Sequence, residues 1–487
     1  MKSYLTRSFT TLVLSFSICG VFLPIKGPCQ DQCTVALIAG SATQDGRPLL
    51  VKSRDVSNDD QEFVYDSNGL FPYVSVTYAG VIDQAWGGVN EVGFAIQNAN
   101  AWNFSDPVPG EDDDGYIIRL ALQTCTTVED FQAIMDSTDV GRTLPAIYGV
   151  IDANGDGAFF ECAAYEHYRF DLDNPVAAPD GYMVRANFAY EGGSYHLGQH
   201  RHDRMLAFLD TAYTGDYITQ QYIFQTIFRD LVNEETNPYP LPFQGQEREL
   251  PYGLLHTHDA INRDITRSAY VVQGIFPTED PLLCTVWAMA GEPIATVALP
   301  LWVHAGSTPV EFDGPEYSAI NVRSQEQRDY LYDWDVGSDV IDTWRVIDDA
   351  GQGLLPNLLI IENQAAASAD SALEIWRNQG IPVAGTVEDF QNSIATWALS
   401  EMDAWGPPQT PEVAIIPQSV NEIQLDWQPV QEDVFGRTLT VTQYTIYASD
   451  QPFYNRLHGD SITTVSTPPV NLTSLENQRF FQVRCQP

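Results

Sequence analysis

The chain has 487 residues, with 65 acidic against 24 basic side chains and a formal net charge of -41. So large a negative excess excludes nucleic acid and anionic membrane surfaces as natural partners. The length exceeds what one hydrophobic core usually serves, so a large domain with a smaller companion is expected.

The first residues have the form of an export signal, with Lys2 and Arg7 ahead of a short apolar run from Leu12 to Leu23. This reading assigns 1–28 to a signal peptide and 29–32 to a short pro-segment. It places the mature protein outside the cytoplasm of a bacterium, secreted to the extracellular space or the periplasm. A lipid-anchor reading of Cys19 is disfavoured by Ile18, which stands where a small residue is wanted. No later stretch is long and apolar enough to span a bilayer, so no membrane insertion of the mature chain is expected. Beyond Lys2 and Lys26 the only lysine is Lys52, and an acidic surface stripped of lysine suits a salt-adapted source. The cysteines Cys19, Cys29, Cys33, Cys125, Cys162, Cys284 and Cys485 form no CxxC pair, which speaks against a zinc ribbon or a thioredoxin-like site.

Alternating apolar runs predict strands at Cys33–Ala39 and Pro48–Arg54, joined by a turn at Asp45-Gly46. Further strands are expected at Gly93–Asn98 and Ala146–Asp152. A helix is expected from Gly115 to Met135, with Ile118, Leu122 and Cys125 on one face, and another from His202 to Thr211. Late strands follow at Ser268–Gln273 and Leu283–Met289. Strands grouped with strands point to a layered α+β fold and away from a βαβ repeat. The stretch 309–405 reads as a helical extension of the same domain. The prolines of 406–411 mark a linker. Beyond them 412–487 is rich in β-formers, and its Trp427, Tyr447 and Phe481 pattern resembles a fibronectin type III sandwich.

Cys33, read alone, is a small buried hydrophobe or a disulfide partner. Placed just after an export segment and followed by Thr34, it has a second reading. Removal of the residues before it would create an α-amine with a reference pKa of about 7.7–8, able to take the thiol proton without a histidine. The stretch Cys33-Thr34, then Ala42 to Asp55, resembles the start of the linear-amide N-terminal-nucleophile hydrolases. That superfamily contains choloylglycine hydrolases, penicillin V acylase and penicillin acyltransferase-like enzymes. Gly88 to Asn100 is similar to its Asn-Glu-x-Gly-Leu segment, Arg119 to Asp130 to the helix that follows, and Val150 to Glu161 to its Asp-x-x-Gly hairpin. The likeness runs in order from Cys33 to about Leu301.

The resemblance implies a four-layered αββα catalytic domain over 33–405 and a role for single residues. Cys33 matches the nucleophile, and Asp55 the carboxylate that holds the new α-amine. Lys52 falls where the choloylglycine branch has arginine, as the cation beside the thiolate, and Arg54 competes for that role. Asn100 matches the oxyanion-hole asparagine, with Asn98 on the same strand face as the alternative register. Asn187 resembles a second active-site asparagine, and Arg201 stands near a later arginine in a looser match. The implied substrate is a small-molecule amide, cleaved through a thioester with no cofactor and no metal. An acyltransferase, a secreted dipeptidase and a non-catalytic cell-surface binding protein remain alternatives, and the oligomeric state is left open.

Three motifs are read as decoys. Asp152-Ala-Asn-Gly-Asp-Gly157 copies the opening of a calcium loop but has Ala163 where the bidentate glutamate belongs, so a hairpin turn is expected. His196, His200 and His202 lack a HExxH arrangement. No Gly-x-Ser-x-Gly elbow supports a serine nucleophile.

Overall fold

Two apolar runs separated by a turn make the first hairpin, β1 (Gln32–Ile38) and β2 (Leu49–Asp55), in which Cys33 lies directly opposite Arg54. The computed structural model describes residues 32–104, 108–409, 411–419, 422–449, 460–473 and 480–486. The expected signal peptide and all of the pro-segment but Gln32 lie outside the described residues. Among the described residues no helix is long and apolar enough to cross a membrane.

After the hairpin come β3 (Gln61–Asp66), β4 (Tyr73–Tyr78), β5 (Gly87–Asn90), β6 (Ala95–Asn100), β7 (Ala146–Ile151), β8 (Gly157–Cys162) and β9 (His167–Asp171), one antiparallel sheet in sequential order. A second sheet has the order β10-β1-β2-β12-β13-β14, with β10 (Tyr182–Arg185), β12 (Thr266–Gln273), β13 (Thr285–Ala290) and β14 (Leu299–Leu301). A small ladder pairs β11 (Leu254–His256) with β15 (Val340–Asp342). The period of two deals side chains to opposite faces. Ala95, Ala99, Ile147 and Ile151 turn toward the second sheet and join Val35, Leu37 and Val51 in the main core. Ile96, Tyr148 and Val150 turn the other way, onto α1 (Asp114–Thr124) and α2 (Val128–Thr138), where Ile118, Leu122, Phe131 and Met135 cover them. The outer side of the second sheet is covered by α3 (Gln199–Thr214), α4 (Ala319–Leu331), α5 (Leu354–Gln379) and α6 (Ala384–Ala404). The result is helix, sheet, sheet, helix, and each fully buried aliphatic or aromatic side chain in it contributes about 1.5–3 kcal/mol.

The helix expected from Gly115 to Met135 is two helices. Thr127 accepts from the Asp130 amide at 3.2 Å, and Asp130 Oδ2 accepts from the amides of Thr126 and Thr127, so a capping box starts a new helix inside an unbroken apolar period. Asp152 Oδ1 accepts from the Asn154 and Asp156 amides, which makes its loop the turn between β7 and β8.

Beyond α6, two three-stranded antiparallel sheets face each other, with the orders β16-β17-β20 and β19-β18-β21. Their strands are β16 (Ala414–Ser419), β17 (Glu422–Asp426), β18 (Gln443–Ser449), β19 (Asp460–Val465), β20 (Val470–Thr473) and β21 (Phe480–Gln486). Trp427 packs on Tyr444 in the centre, whereas Tyr447, expected there, is only half-buried. The joint to this unit is closed. Phe435 lies against Tyr330 and Trp405, with the Arg323 guanidinium 4.1 Å from its ring centre, and Arg437 donates to the Trp405 carbonyl.

One buried network fixes the loop after β11. Glu292 Oε1 accepts from Asn262 Nδ2 at 2.6 Å and from the Tyr332 hydroxyl at 2.7 Å, while its Oε2 has no partner among the described residues. Burial raises the Glu292 carboxyl from its ordinary value to about 7. The folded state therefore holds the proton more tightly than the unfolded chain, and stability falls as pH rises from about 4.5 to about 7. Glu292→Gln keeps both accepted bonds and removes the charge. Its melting temperature should exceed that of the wild type at pH 8 and match it at pH 4. Thermal scans across this range check the point, and equal curves at pH 8 would count against it.

Candidate active site

Cys33, the second residue of β1, lines a cavity of about 340 Å³. Lys52, Arg54, Asn98, Asn100 and Asp114 share that wall with Tyr78, Trp86 and Leu144. Strand β2 explains the grouping, because Lys52 and Arg54 are two residues apart and face the cavity, while Asp55 falls on the opposite face.

Lys52 is fully buried, and its ammonium donates to Asn98 Oδ1 at 2.6 Å and to the Trp86 carbonyl at 2.8 Å. Gly87 lets that carbonyl come so close: its φ is +125°, and a Cβ there would lie 1.7 Å from the Tyr270 hydroxyl. Asn98 passes the link on, donating from Nδ2 to Asp114 Oδ2 at 2.6 Å. Burial raises the Asp114 carboxyl to about 6, against the Gly115 amide and Lys52, which pull it down. Asn98 is thus occupied in holding Lys52, and Asn100 lines the same cavity.

Beneath Cys33 lies a second polar group. The Cys33 backbone nitrogen donates to Asn187 Oδ1 at 2.9 Å, and Asn187 Nδ2 reaches the Asn100 carbonyl at 3.2 Å. Arg201, fully buried, donates to the Cys33 carbonyl at 3.0 Å, to Thr34 Oγ1 at 2.9 Å and to Asn187 Oδ1 at 3.1 Å. Asp55 accepts from Thr266 Oγ1 at 2.7 Å and has Arg201 and Arg263 at 3.5 and 3.8 Å. Burial nevertheless raises its carboxyl, and the two arginines and Thr266 oppose that rise. Gln32 Oε1, one residue before the nucleophile candidate, is gripped by Arg201 at 2.7 Å and Arg263 at 2.8 Å.

Every candidate named from the sequence therefore converges on Cys33, Arg201 included despite its looser motif. Three participants were not foreseen. Thr266 opens β12 and Arg263 lies in the loop just before it, and Asp114 opens α1 within an acidic run. None carries a local signal, because each is brought in by tertiary pairing. Asn90, in the expected Asn-Glu motif, is structural, since its Nδ2 bonds the Leu122 and Cys125 carbonyls and ties the end of α1 to the β5–β6 turn. The histidines do not converge, since His196 stacks on Phe188, His200 bonds the Asp259 carbonyl and His202 meets the Tyr190 hydroxyl.

Burial pushes the Cys33 thiol up, and of the nearby charges Lys52 opposes this most, ahead of Arg54, while Asp55 adds to it. Burial thus favours the protonated sulfur, with one main cation beside it.

Residues 42–239 match the family described as acyl-coenzyme A:6-aminopenicillanic acid acyl-transferase, a range that begins after Cys33. Among solved structures, a conjugated bile acid hydrolase from Clostridium perfringens is similar at 12% identity, covering 53% of this chain and 89% of its own, with a TM-score of 0.35. Penicillin V acylase from Agrobacterium tumefaciens is similar at 11% identity, covering 55% of this chain and 85% of its own, with a TM-score of 0.31. A comparison with curated proteins found no match. The family match bears out the superfamily resemblance drawn from the motifs.

Lys52→Met keeps the apolar stem and removes the ammonium. Lys52 is the main charge holding the thiol down, so its loss should move the Cys33 titration upward. The pH profile of iodoacetamide labelling reads this directly, and Arg54→Ala should move it less. An unchanged profile in Lys52→Met, beside a shifted one in Arg54→Ala, would give the role to Arg54.

Proposed function

We propose that this chain, which carries the sequence pattern of the acyl-transferring N-terminal-nucleophile superfamily, is an exported enzyme that hydrolyses a linear amide through Cys33. The observation that carries the reading is the hydrogen bond from the Cys33 nitrogen to Asn187 Oδ1, with the thiol of the same residue on the cavity wall. Cutting the Gln32–Cys33 bond turns that nitrogen into an α-amine close to its own sulfur. A thiol kept protonated by burial needs a base at the moment of attack, and an amine of pKa about 7.7–8 supplies one at neutral pH.

In this scheme the α-amine takes the thiol proton as sulfur adds to the amide carbon. Charge develops on the carbonyl oxygen, toward which Asn100 donates. The α-ammonium then protonates the departing nitrogen and leaves a thioester. Water, deprotonated by the amine, adds to the thioester, releases the acid and restores the thiol. Lys52 favours the sulfur anion, and Asp55 steadies the ammonium. Asn187 and Arg201 are positioning residues, because they hold the backbone of Cys33. No cofactor enters the scheme.

Maturation follows the same chemistry on the chain itself. The Cys33 sulfur adds to the Gln32 carbonyl carbon, the peptide nitrogen leaves as the α-amine, and water hydrolyses the resulting thioester. Arg201 and Arg263 keep Gln32 in place for that step.

Mass spectrometry of the exported protein should find Cys33 as its first residue. Cys33→Ala should lose turnover by about 10³-fold or more and, with self-cleavage, retain the residues before it. Amine release from a panel of N-acyl amino acids, dipeptides and penicillin V assigns the substrate, and preferred transfer to an added amine would make the enzyme an acyltransferase. A fully active protein whose N-terminus lies upstream of Cys33 would overturn the mechanism.

A further inference from the structure

We propose that the Cys33 cavity contains a built subsite for a carboxylate, received by Arg54, and that the enzyme's substrates are amides bearing a free carboxylate near the scissile bond. The inference rests on the reading of Cys33 as the nucleophile. Arg54 is 1% exposed, lines the same cavity as Cys33 and faces it directly across the β1–β2 ladder.

Its guanidinium is held from several sides. Nη1 donates to Gln61 Oε1, and Gln61 is itself fixed through Nε2 on the Asn58 carbonyl at 2.8 Å. The ring centres of Tyr78 and Trp86 lie 4.5 and 4.8 Å from the guanidinium carbon. Nη2, in contrast, is buried with no hydrogen-bond partner among the described residues. A fixed guanidinium with an unused donor is costly to bury alone, and a carboxylate is the ligand its geometry fits best.

The other charges of the cavity leave this role open. Lys52 is committed to Asn98 and the Trp86 carbonyl and is the main cation acting on the thiol, so Arg54 is spare for substrate. Asp114 is taken up by Asn98 Nδ2 and the Gly115 amide. Glu111 and Asp112 are exposed at the mouth, so negative charge lies outside and the unmatched positive charge lies within. An entering ligand is therefore drawn with its carboxylate inward, beside the sulfur. Since Arg54 is the residue paired with Cys33, the carboxylate belongs close to the reacting carbon, as in the amide of an α- or β-amino acid.

Two alkylating agents that differ in one charge test this on the exported, processed protein. In both, the Cys33 sulfur displaces iodide, forming a carbon–sulfur bond as the carbon–iodine bond breaks; iodoacetate carries a carboxylate and iodoacetamide does not. The ratio of iodoacetate to iodoacetamide labelling at Cys33 should exceed that of free cysteine. It should fall about tenfold in Arg54→Gln, the loss of one charge-assisted hydrogen bond, and lie between in Arg54→Lys. Taking the ratio cancels any change in thiolate fraction. A test without variants follows protection of wild-type Cys33 from iodoacetamide: N-acetylglycine should protect and N-acetylglycinamide should not. Equal ratios in wild type and Arg54→Gln, or equal protection by the acid and the amide, would overturn the subsite alone. Absence of labelling by either reagent would overturn the nucleophile and the subsite together.

Discussion

A single buried ammonium ties the two sheets at the place where the chemistry is proposed to occur. Lys52 belongs to the sheet that carries Cys33, and its partners are Asn98, in the facing sheet, and the carbonyl of Trp86, which leads into β5 of that sheet. Taking a charge out of water costs several kcal/mol unless hydrogen bonds replace its hydration. That requirement fixes Asn98, which must accept from Lys52 and so turns its amide nitrogen to Asp114. It also fixes Trp86, whose carbonyl can arrive only because Gly87 has no side chain. The aromatic wall around Arg54 follows from the same strand end.

The alternation of β2 does the rest. One face of the strand gives two cations to the cavity, and the other gives Asp55 to the polar group under Cys33. A thiol and the nitrogen of its own residue are thereby placed in different electrostatic settings, the sulfur near Lys52 and the nitrogen near Asn187, Arg201 and Asp55. Acid and base roles can be divided between two atoms of one residue because the pleat separates what surrounds them.

Much of this is legible in the sequence. The Cys33–Asp55 hairpin is written in local periodicity, and Lys52 stands out by rarity. What escaped has identifiable causes. The break at Thr126-Thr127 was hidden because the apolar period of α1 continues into α2 in phase, while the cap that separates them is a two-residue signal. Asn100 and Asn98 share a strand face, and only the tertiary partner, Lys52, tells them apart. Thr266 bonds Asp55 across 211 residues of chain, a distance over which no pattern in one segment speaks for the other. The proline-rich stretch read as a joint is packed shut by Phe435, whose neighbours Tyr330, Trp405 and Arg323 come from two different helical segments.

The burial of Lys52 has a consequence for how the molecule meets reagents and partners. From Cys33 to Pro487 it is the only lysine, and no part of it reaches solvent. The folded surface over that whole span offers no side-chain primary amine. Aldehydes, activated esters and sugar-derived glycating agents thus find no lysine to modify, and crosslinkers of that class cannot fasten this protein to its neighbours through its side chains. With such a surface, a terminal amine exposed by processing would stand out as a singular chemical handle, so that one reactive group would report on both the cleavage and the catalytic centre.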